Sequence, residues 1–402
     1  MSQTLPVGVT GVIRSLRTAV AEVGPDALPA LVSRAAAAVG AVDVVIYLAD
    51  YPQVCLVPLP AGSGAAVPIE ATMAGRAYMS LEVQHAPDQP DRLWVPLVDG
   101  CDRLGVVEFV SPAVVNDEVE AACGEVAGYI AQLVKNRRPY GDAVERARRR
   151  MPMHIAAEVV WGLLPPLTFG TNDVVITAIL EPCYDVGGDV FDYALNGDVL
   201  SFALFDTCGH GITASTLAAL TINAYRNARR SGLDLVGIAG TIDTWLRAQH
   251  PNKFATAVLA ELDHITGTLR TINAGHPGVQ LLRDGRAVKE LPGPTALPLG
   301  LHHLTGREPT VHEENLQPAD RLLVYTDGVT DAYNEAGERF GLGRLLDLVQ
   351  RALNDELPAP ESMRRLVRAV VEHQFEELED DATAVLVQWQ PPGYVLPPGL
   401  RP

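Results

Sequence analysis

The chain has 402 residues, 48% of them hydrophobic and 20% charged, a composition typical of a globular protein long enough for two or three domains. Its formal net charge of −18 argues against nucleic acid or an anionic membrane surface as a partner, because both attract basic proteins. The sequence contains no apolar run of membrane-spanning length, no signal-peptide pattern and no CxxC among its five cysteines, so we expect a cytoplasmic protein without a disulfide framework or structural zinc site.

The first 112 residues predict a small α/β domain. A helix is expected over residues 27–40, where an alanine-rich stretch ends at glycine. Short strand-like runs follow (VDVVIYLA, QVCLVPL, RLWVPLV and RLGVVEFV), and EATMAGRAYMS between them reads as a short helix. This order, and in particular VPLVDGCDRLGVVEFV near its end, resembles a GAF domain, which implies a sensory role.

The next segment predicts a helical linker over residues 113–165. Its first helix carries apolar residues at a 4-3-4-3 spacing, which is typical of a coiled-coil seam. The alternative is a helix packed on its own domain. The seam residues are Val119, Cys123, Val126, Ile130 and Leu133. If they pair two chains, a homodimer through the GAF-like domain and the linker follows.

A second linker helix is expected in MHIAAEVVWGLLPP. Pro152 suits the first turn of this helix, and Pro165 ends it. We expect the two helices to connect the N-terminal domain mechanically to the region that follows.

Residues 166–390 predict an α+β domain. Strands are indicated by DVVITAILEP, DVLSFALFD, FATAVLAELD, GTLRTINA, GVQLLRD, DRLLVYTD and ATAVLVQW. Helical segments lie between them, in pairs rather than in βαβ alternation, which favours a sandwich. Residues 391–402 are proline-rich and read as a disordered tail.

Four acidic positions of this domain lie at strand ends or tight turns, where side chains from different strands converge. A carboxylate at the end of a buried strand is costly unless it is paired or holds a metal, and several together repel one another without a cation. Oxygen ligands suit Mg²⁺ or Mn²⁺. The positions are GGDVFD (Asp189, Asp192), FDTCGHG (Asp206), YTDGVTD (Asp327) and EDDATAVLV (Asp380, Asp381).

Glycines accompany the same acids. They allow tight backbone turns and let carbonyl oxygens approach an ion. Each acid–glycine turn alone is a common turn; the combination in this order and strand context is much more specific. The glycines are Gly187, Gly188, Gly209, Gly211 and Gly328.

Six segments resemble, in order, the motifs of SpoIIE-type phosphatases, a bacterial branch of the PPM metal-dependent protein phosphatases. They are GGDVFD, FDTCGHGITAS, FATAVLAELDHITGTLRTINAGHPGVQLL, TALPLGL, DRLLVYTDGVTDAYNEAGERFG and DDATAVLV. AAEVVWGLLPP also resembles the helix before the catalytic domain of stress-response members. The resemblance covers about residues 155–390. It implies an α-β-β-α sandwich with two Mn²⁺ or Mg²⁺ ions at one end of the sheets.

The resemblance also implies roles for single residues. Asp206 matches the acid that bridges both metals, and the backbone carbonyl of Thr207 matches an adjacent ligand. Asp327 and Asp380 match further metal-binding acids, and Asp189 matches the first acid, which lies close to the centre directly or through water. The parts of the neighbouring acids Asp192 and Asp381 stay open.

This sequence departs from the usual pattern at two places. Thr207-Cys208 replaces a more frequent Val-Ser pair, and Asp331 stands where glutamate is common; neither change removes a ligand. His210 and His276 are candidate general acids for the leaving alkoxide, although the favoured interpretation is that each orders its own glycine-flanked loop.

The implied activity is hydrolysis of phosphoserine or phosphothreonine by a water that two divalent ions activate. By the same resemblance, the substrate is a phosphorylated regulatory protein, an anti-anti-sigma factor with a STAS fold. Two other functions stay open: a catalytically silent phosphatase-like binding module, and another two-metal hydrolase such as a nuclease or cyclic-nucleotide esterase.

Overall fold

A computed structural model of the chain describes residues 7–37, 41–112, 115–185, 187–293, 296–355, 357–374 and 380–392. The described residues form two compact units, which divide between Pro152 and Met153. Most of the predicted proline-rich tail, residues 393–402, lies outside the described residues. Within the described part, none of the helices combines the length and apolarity needed to cross a membrane. All five cysteines are free thiols, as expected.

The N-terminal unit is built on one antiparallel sheet with the strand order β3-β2-β1-β6-β5-β4. Helices α1, α2, α4 and α5 share a hydrophobic core with one face of the sheet, and α3 packs with residues of the other face. The strands are β1 (Asp43–Ala49), β2 (Cys55–Leu59), β3 (Val67–Pro68), β4 (Gln84–Ala86), β5 (Gln89–Asp99) and β6 (Asp102–Val110). The helices are α1 (Val7–Ala21), α2 (Leu28–Ala36), α3 (Met73–Ser80), α4 (Asp117–Arg137) and α5 (Ala143–Arg148).

Helix α1 was not predicted from the sequence. It contains Gly8 and Gly11, which lower its intrinsic helix propensity. Its apolar residues nevertheless recur at helical spacing, and Val9, Val12 and Leu16 are all buried in the core. Tertiary packing of this face, rather than propensity, therefore stabilises the helix.

Helix α4 does not offer a coiled-coil seam. Cys123, Val126 and Ile130 are at most 1% exposed and belong to the core that the helix forms with its own sheet. The coiled-coil interpretation is therefore wrong, and the alternative of a helix packed on its own domain is confirmed. These residues are therefore not exposed for pairing with the same helix of a second chain, as the predicted homodimer requires.

The predicted linker over residues 113–165 is also divided differently. Helix α4 belongs to the first unit, and the helix expected in MHIAAEVVWGLLPP belongs to the second, where α6 (Ile155–Leu163) packs on α7 (Gly211–Arg230). Its N-cap is His154, so Pro152 lies before the helix rather than in its first turn. Each helix therefore packs against apolar residues of one unit.

The C-terminal unit contains two antiparallel sheets. Their strand orders are β15-β12-β11-β10-β9 and β14-β13-β16-β17-β8-β7. The strands are β7 (Thr168–Gly170), β8 (Val174–Glu181), β9 (Asp189–Asn196), β10 (Val199–Thr207), β11 (Ala255–Asp263), β12 (Thr268–Ala274), β13 (Gln280–Arg283), β14 (Arg286–Glu290), β15 (His312–Asn315), β16 (Arg321–Tyr325) and β17 (Ala382–Trp389). The remaining helices are α8 (Leu235–Gln249), α9 (Asp327–Thr330), α10 (Gly341–Asn354) and α11 (Ala359–His373).

These sheets and helices form four layers. Side chains of both sheets, including Phe202 and Val385, share one core. Helices α7 and α8 cover the outer face of the five-stranded sheet, and α10 and α11 cover the six-stranded one. Strands β8 and β17 are therefore buried on both faces, which explains their largely apolar sequences. The predicted α-β-β-α sandwich is confirmed.

Candidate metal centre

Two of the predicted acids lie side by side at one end of the five-stranded sheet. Asp189 begins β9 and Asp206 is the penultimate residue of β10, and the two are directly opposite in the antiparallel register. Opposed residues point to the same face of a sheet. That face is the inner one, because Phe191 and Leu204, two residues along each strand, lie in the core between the sheets.

The other acids come from the six-stranded sheet. Asp327 follows β16, while Asp380 and Asp381 precede β17, its antiparallel neighbour, so all three lie at the same end of that sheet. The hydroxyl of Thr326 donates a 2.8 Å hydrogen bond to Oδ2 of the buried Asp189. This contact ties the acids of one sheet to those of the other.

Asp381 supplies a second tie between the sheets. Its Oδ2 accepts hydrogen bonds from the backbone N–H groups of Gly187 (3.0 Å), Gly188 (2.6 Å) and Asp189 (3.1 Å). Three amide donors on one carboxylate make a charge-assisted anchor. Asp381 therefore fixes the Gly187-Gly188 turn that delivers Asp189, a role the sequence had left open.

The five acids act on one another electrostatically. Burial, followed by the charges of Asp327, Asp380 and Asp381, raises the pKa of Asp206 to about 7. Burial, followed by Asp381 and Asp206, raises the pKa of Asp189 well above its ordinary value. The pKa of Asp327 is also raised, by burial and then by Asp380. Such mutual elevation marks a place where a positive charge would be strongly stabilised.

The donor set fits hard divalent cations, since it consists of carboxylate oxygens and the backbone carbonyl of Thr207. Across the described residues, no three acidic, histidine or cysteine side chains are close enough together to form a finished cage. Repelling carboxylates are expected to stay apart until a cation offsets their charge. Gly188 leaves the Thr207 carbonyl oxygen uncrowded, because any larger residue at this position would place its Cβ only 2.9 Å from that oxygen.

Asp192 does not join the cluster. It is three residues beyond Asp189 on β9, so its side chain points to the opposite face of the sheet. There its Oδ1 accepts from Arg226 at 2.6 Å and its Oδ2 lies 2.9 Å from Arg229 Nη1. Both arginines belong to α7. Asp192 is thus a buried ion-pair residue that attaches α7 to the sheet.

The two candidate histidines differ in accessibility. His210 is exposed and is the N-cap residue of α7, next to the loop that carries Asp206. His276 is 2% exposed, and its Nδ1 lies 2.8 Å from the hydroxyl of Thr256. Its backbone N–H donates to Asn273, whose amide donates back to the His276 carbonyl. His276 therefore orders a buried loop, and of the two only His210 can meet a substrate in solvent.

Sequence reasoning missed three residues beside the acids. Thr256 was not singled out because a threonine in a strand carries no signal of its own, and it is found only through the strand register. Thr326, the residue after β16, is found only through its hydrogen bond to Asp189. Lys253 was also missed. Its Nζ lies 3.7 Å from the place where a Cβ on Gly209 would stand, and among the described residues its ammonium group has no ion pair or hydrogen bond.

Comparison with known protein families gives a sequence match in this region. Residues 196–390 match the family model described as Stage II sporulation protein E (SpoIIE). The matched range contains Asp206, Asp327 and Asp380 and begins after Asp189. Protein IcfG of Synechocystis sp. is 28% identical over 201 residues, which are 43% of this chain and 31% of that relative, so the chain spans about a third of its length.

Solved structures give a weaker likeness. The RsbU and RsbW domains of a Mycobacterium tuberculosis protein are 25% identical at a TM-score of 0.48, covering 56% of this chain and 63% of that one. The SiaA-PP2C domain of Pseudomonas aeruginosa is 24% identical at a TM-score of 0.49, covering 58% of this chain and 94% of that one. These TM-scores are too low for the likeness to decide the fold or the activity.

Proposed function

We propose that the chain is a metal-dependent protein serine/threonine phosphatase, because residues 196–390 match the SpoIIE family model. One observation carries the proposal: Asp206 of one sheet meets Asp327 and Asp380 at the strand ends of the other, and burial, followed by the charges of Asp327 and Asp380, raises the pKa of Asp206. Buried carboxyl groups that repel one another in this way are characteristic of a cation-binding active site.

In the proposed mechanism, two divalent ions, Mn²⁺ or Mg²⁺, would be held by Asp206, by Asp189, Asp327 and Asp380, and by the backbone carbonyl of Thr207. By the SpoIIE-type resemblance, Asp206 would serve both ions. When bound, the ions supply Lewis-acid polarisation of the phosphoryl group and an acidified water. The chain's own part is to keep these oxygens in place: Thr326 holds Asp189, and Asp381 holds the turn before it.

Two positive features of the chain suit a phosphoryl group beside the acids. Helix α7 begins at Gly211, so its unpaired N–H groups lie at the end of the Asp206 loop, and Lys253 lies beside Gly209 in the same loop. We assign Lys253 to orienting the phosphate oxygens. His210, exposed at the same place, is the candidate donor of a proton to the leaving alkoxide.

We further propose that the substrate is a phosphorylated regulatory protein, a STAS-type anti-anti-sigma factor, in the cytoplasm. The support for it is the SpoIIE-type motif set of residues 155–390. The N-terminal unit, with its single antiparallel sheet, is proposed as a GAF-like sensory domain that controls the phosphatase. This assignment rests on the VPLVDGCDRLGVVEFV pattern, which forms the hairpin of β5 and β6.

A direct assay tests the proposed activity. The full chain is incubated with a chromogenic phosphate monoester, with a phosphoserine peptide and with a chromogenic phosphodiester, each with and without Mn²⁺. We expect Mn²⁺-dependent hydrolysis of both monoesters. No hydrolysis of any substrate would favour a silent binding module, and preference for the phosphodiester would favour another two-metal hydrolase.

A further inference from the structure

Lys253 lies in a short connection between α8 and β11, and this connection contacts two other loops. On one side, its next residue, Phe254, accepts a 3.1 Å hydrogen bond from the backbone N–H of Cys208. Cys208 belongs to the loop that follows Asp206. This contact attaches the connection to the Asp206 loop, where the Lys253 ammonium group lies beside Gly209.

On its other side, the connection packs against the loop of residues 296–302. The backbones of Leu299 and Ala255 exchange two hydrogen bonds, of 2.8 and 3.0 Å. The next residue of the loop, Gly300, lies directly against the Lys253 carbonyl oxygen, because a Cβ at this position would stand 2.7 Å from that oxygen. Gly300 also has a φ of +100°, which other residues rarely adopt. Glycine therefore allows this loop to reach the Lys253 backbone.

The buried side chain of Asp243 holds this loop in place. Asp243 is 6% exposed and belongs to α8, the helix that leads into the Lys253 connection. Its Oδ1 accepts hydrogen bonds from the backbone N–H groups of Gly300 (2.7 Å) and His302 (3.0 Å). The His302 ring closes the loop further, since its Nε2 lies 2.8 Å from the Leu297 carbonyl oxygen. Without the carboxylate, two backbone N–H groups of the loop would lose their acceptor.

We propose that Asp243 is a positioning residue for Lys253: it fixes the turn at Gly300, and this turn fixes the backbone from which the lysine reaches the phosphoryl group. The proposal rests on the proposed function, because it takes Lys253 as the residue that orients the phosphate oxygens. A lysine side chain is long and flexible, so the position of its ammonium group depends on a firmly held backbone. Asp243 is buried, and it acts through Lys253 rather than by contact with the substrate.

Steady-state kinetics of the full chain with Mn²⁺ test this role. Asp243→Ala removes the acceptor, whereas Asp243→Asn keeps an oxygen that can accept both hydrogen bonds. Asp234→Ala is the matched control, since Asp234 caps the N-terminus of the same helix through a 2.8 Å hydrogen bond from Gly237. We expect the KM for a phosphoserine peptide to rise about fivefold or more in Asp243→Ala, with kcat and Mn²⁺ affinity little changed. The other two variants should stay within about twofold of wild type, because they leave the Gly300 turn in place.

A double variant separates positioning from a general structural role. If Asp243 acts through Lys253, its removal has no further effect once the lysine is gone. The KM of the double variant Asp243→Ala with Lys253→Ala should therefore equal that of Lys253→Ala within about twofold. Effects of the two substitutions that multiply would overturn the proposal, and so would a folded Asp243→Ala protein with the wild-type KM.

Gly300→Ala disturbs the same contact from the other side and is measured in parallel, in case Asp243→Ala does not fold. Its Cβ would press on the Lys253 carbonyl oxygen, so we expect a rise in KM with Asp243 intact, and an unchanged KM would overturn the proposal. A wild-type protein without Mn²⁺-dependent hydrolysis of the phosphoserine peptide would instead contradict the proposed function itself. A KM that rises in Lys253→Ala but not in Asp243→Ala would contradict only the positioning role.

Discussion

The Asp381 carboxylate accepts a 2.6 Å hydrogen bond from the backbone N–H of Gly188, a residue 193 positions earlier in the chain. Gly188 precedes β9 of one sheet and Asp381 precedes β17 of the other, so this contact closes the end of the sandwich where the acids meet. The acid cluster therefore stabilises the fold as well as forming a candidate metal centre. Asp381 has the stabilising role, and the other acids of the cluster are the candidate metal ligands.

Replacement of Asp381 should mainly affect stability. Asp381→Ala leaves the amide groups of the Gly187-Gly188 turn without their acceptor, so we expect a loss of about 1–3 kcal/mol in the free energy of unfolding. Denaturant unfolding measures it. Asp380→Ala is the matched control: it removes an exposed neighbouring acid, and should abolish phosphatase activity with little loss of stability. Equal effects of the two substitutions on stability would contradict this division.

Asp192 should behave as a structural residue. Asp192→Asn breaks the buried ion pairs with Arg226 and Arg229, and we expect it to destabilise the protein by about 3 kcal/mol. Mn²⁺ affinity, measured by calorimetry below the unfolding transition, should change less than about threefold. A loss of Mn²⁺ binding comparable with that of Asp327→Asn would show that Asp192 belongs to the metal centre.

Metal binding should couple to stability and to pH. The pKa of Asp206 in the folded protein is about 7, raised from 3.8, so its protonated form favours folding. That contribution is complete below about pH 4 and is lost as the pH rises through about 7. We expect the metal-free protein to melt at a lower temperature at about pH 8 than at about pH 5. Millimolar Mn²⁺ should raise the melting temperature more at the higher pH.

Scanning calorimetry checks this, with Asp206→Asn as the control. The variant lacks the titrating carboxyl, so its melting temperature should vary less with pH. No shift in the wild-type melting temperature at millimolar Mn²⁺ would count against a metal centre formed by these acids.

Lys253 should contribute to substrate binding. Lys253→Ala removes a cation beside Gly209 that has no other ionic partner among the described residues. We expect a KM for a phosphoserine peptide about 10-fold higher, with unchanged Mn²⁺ affinity, because the lysine is assigned to the phosphate and not to the metals. Lys289→Ala is the control, since Lys289 is paired with Glu314 on the surface. Equal KM values for both variants and wild type would contradict the assignment of Lys253 to phosphate binding.

The sequence predicted the layers of the C-terminal unit and the acids that meet at one end of its sheets, for a physical reason. The apolar run ALF ends directly in Asp206, and LLVY is followed by Thr326 and then Asp327. A carboxylate at the end of a buried strand has few alternatives to a metal or an ion pair. Asp206 and Asp327 could therefore be singled out without a structure. The prediction for Asp192 stayed open because GGDVFD was treated as a turn; only the pleat of β9 shows that Asp189 and Asp192 face opposite sides.

The rest depended on contacts that a linear pattern does not encode. The 4-3-4-3 spacing of α4 is compatible with packing on a partner helix or on a sheet. In the structure, Val126 and Ile130 pack in the core that the helix forms with its own sheet. Thr256 becomes notable only when the register places it opposite Asp206. The anchoring role of Asp381 likewise cannot be predicted from a local pattern, because Asp381 and its partner Gly188 are 193 positions apart in the chain and meet only where the two sheets pack together.

The central claim is that Asp206 holds the metals that hydrolyse a phosphomonoester. The most direct measurement is the Mn²⁺-dependent kcat/KM of Asp206→Asn and wild type on a phosphoserine peptide, with circular dichroism to verify the fold. Asparagine keeps the shape but not the charge, and we predict a loss of more than about 100-fold, the upper end of what even an outer-shell change costs. A folded Asp206→Asn protein within about tenfold of wild type would contradict the two-metal assignment.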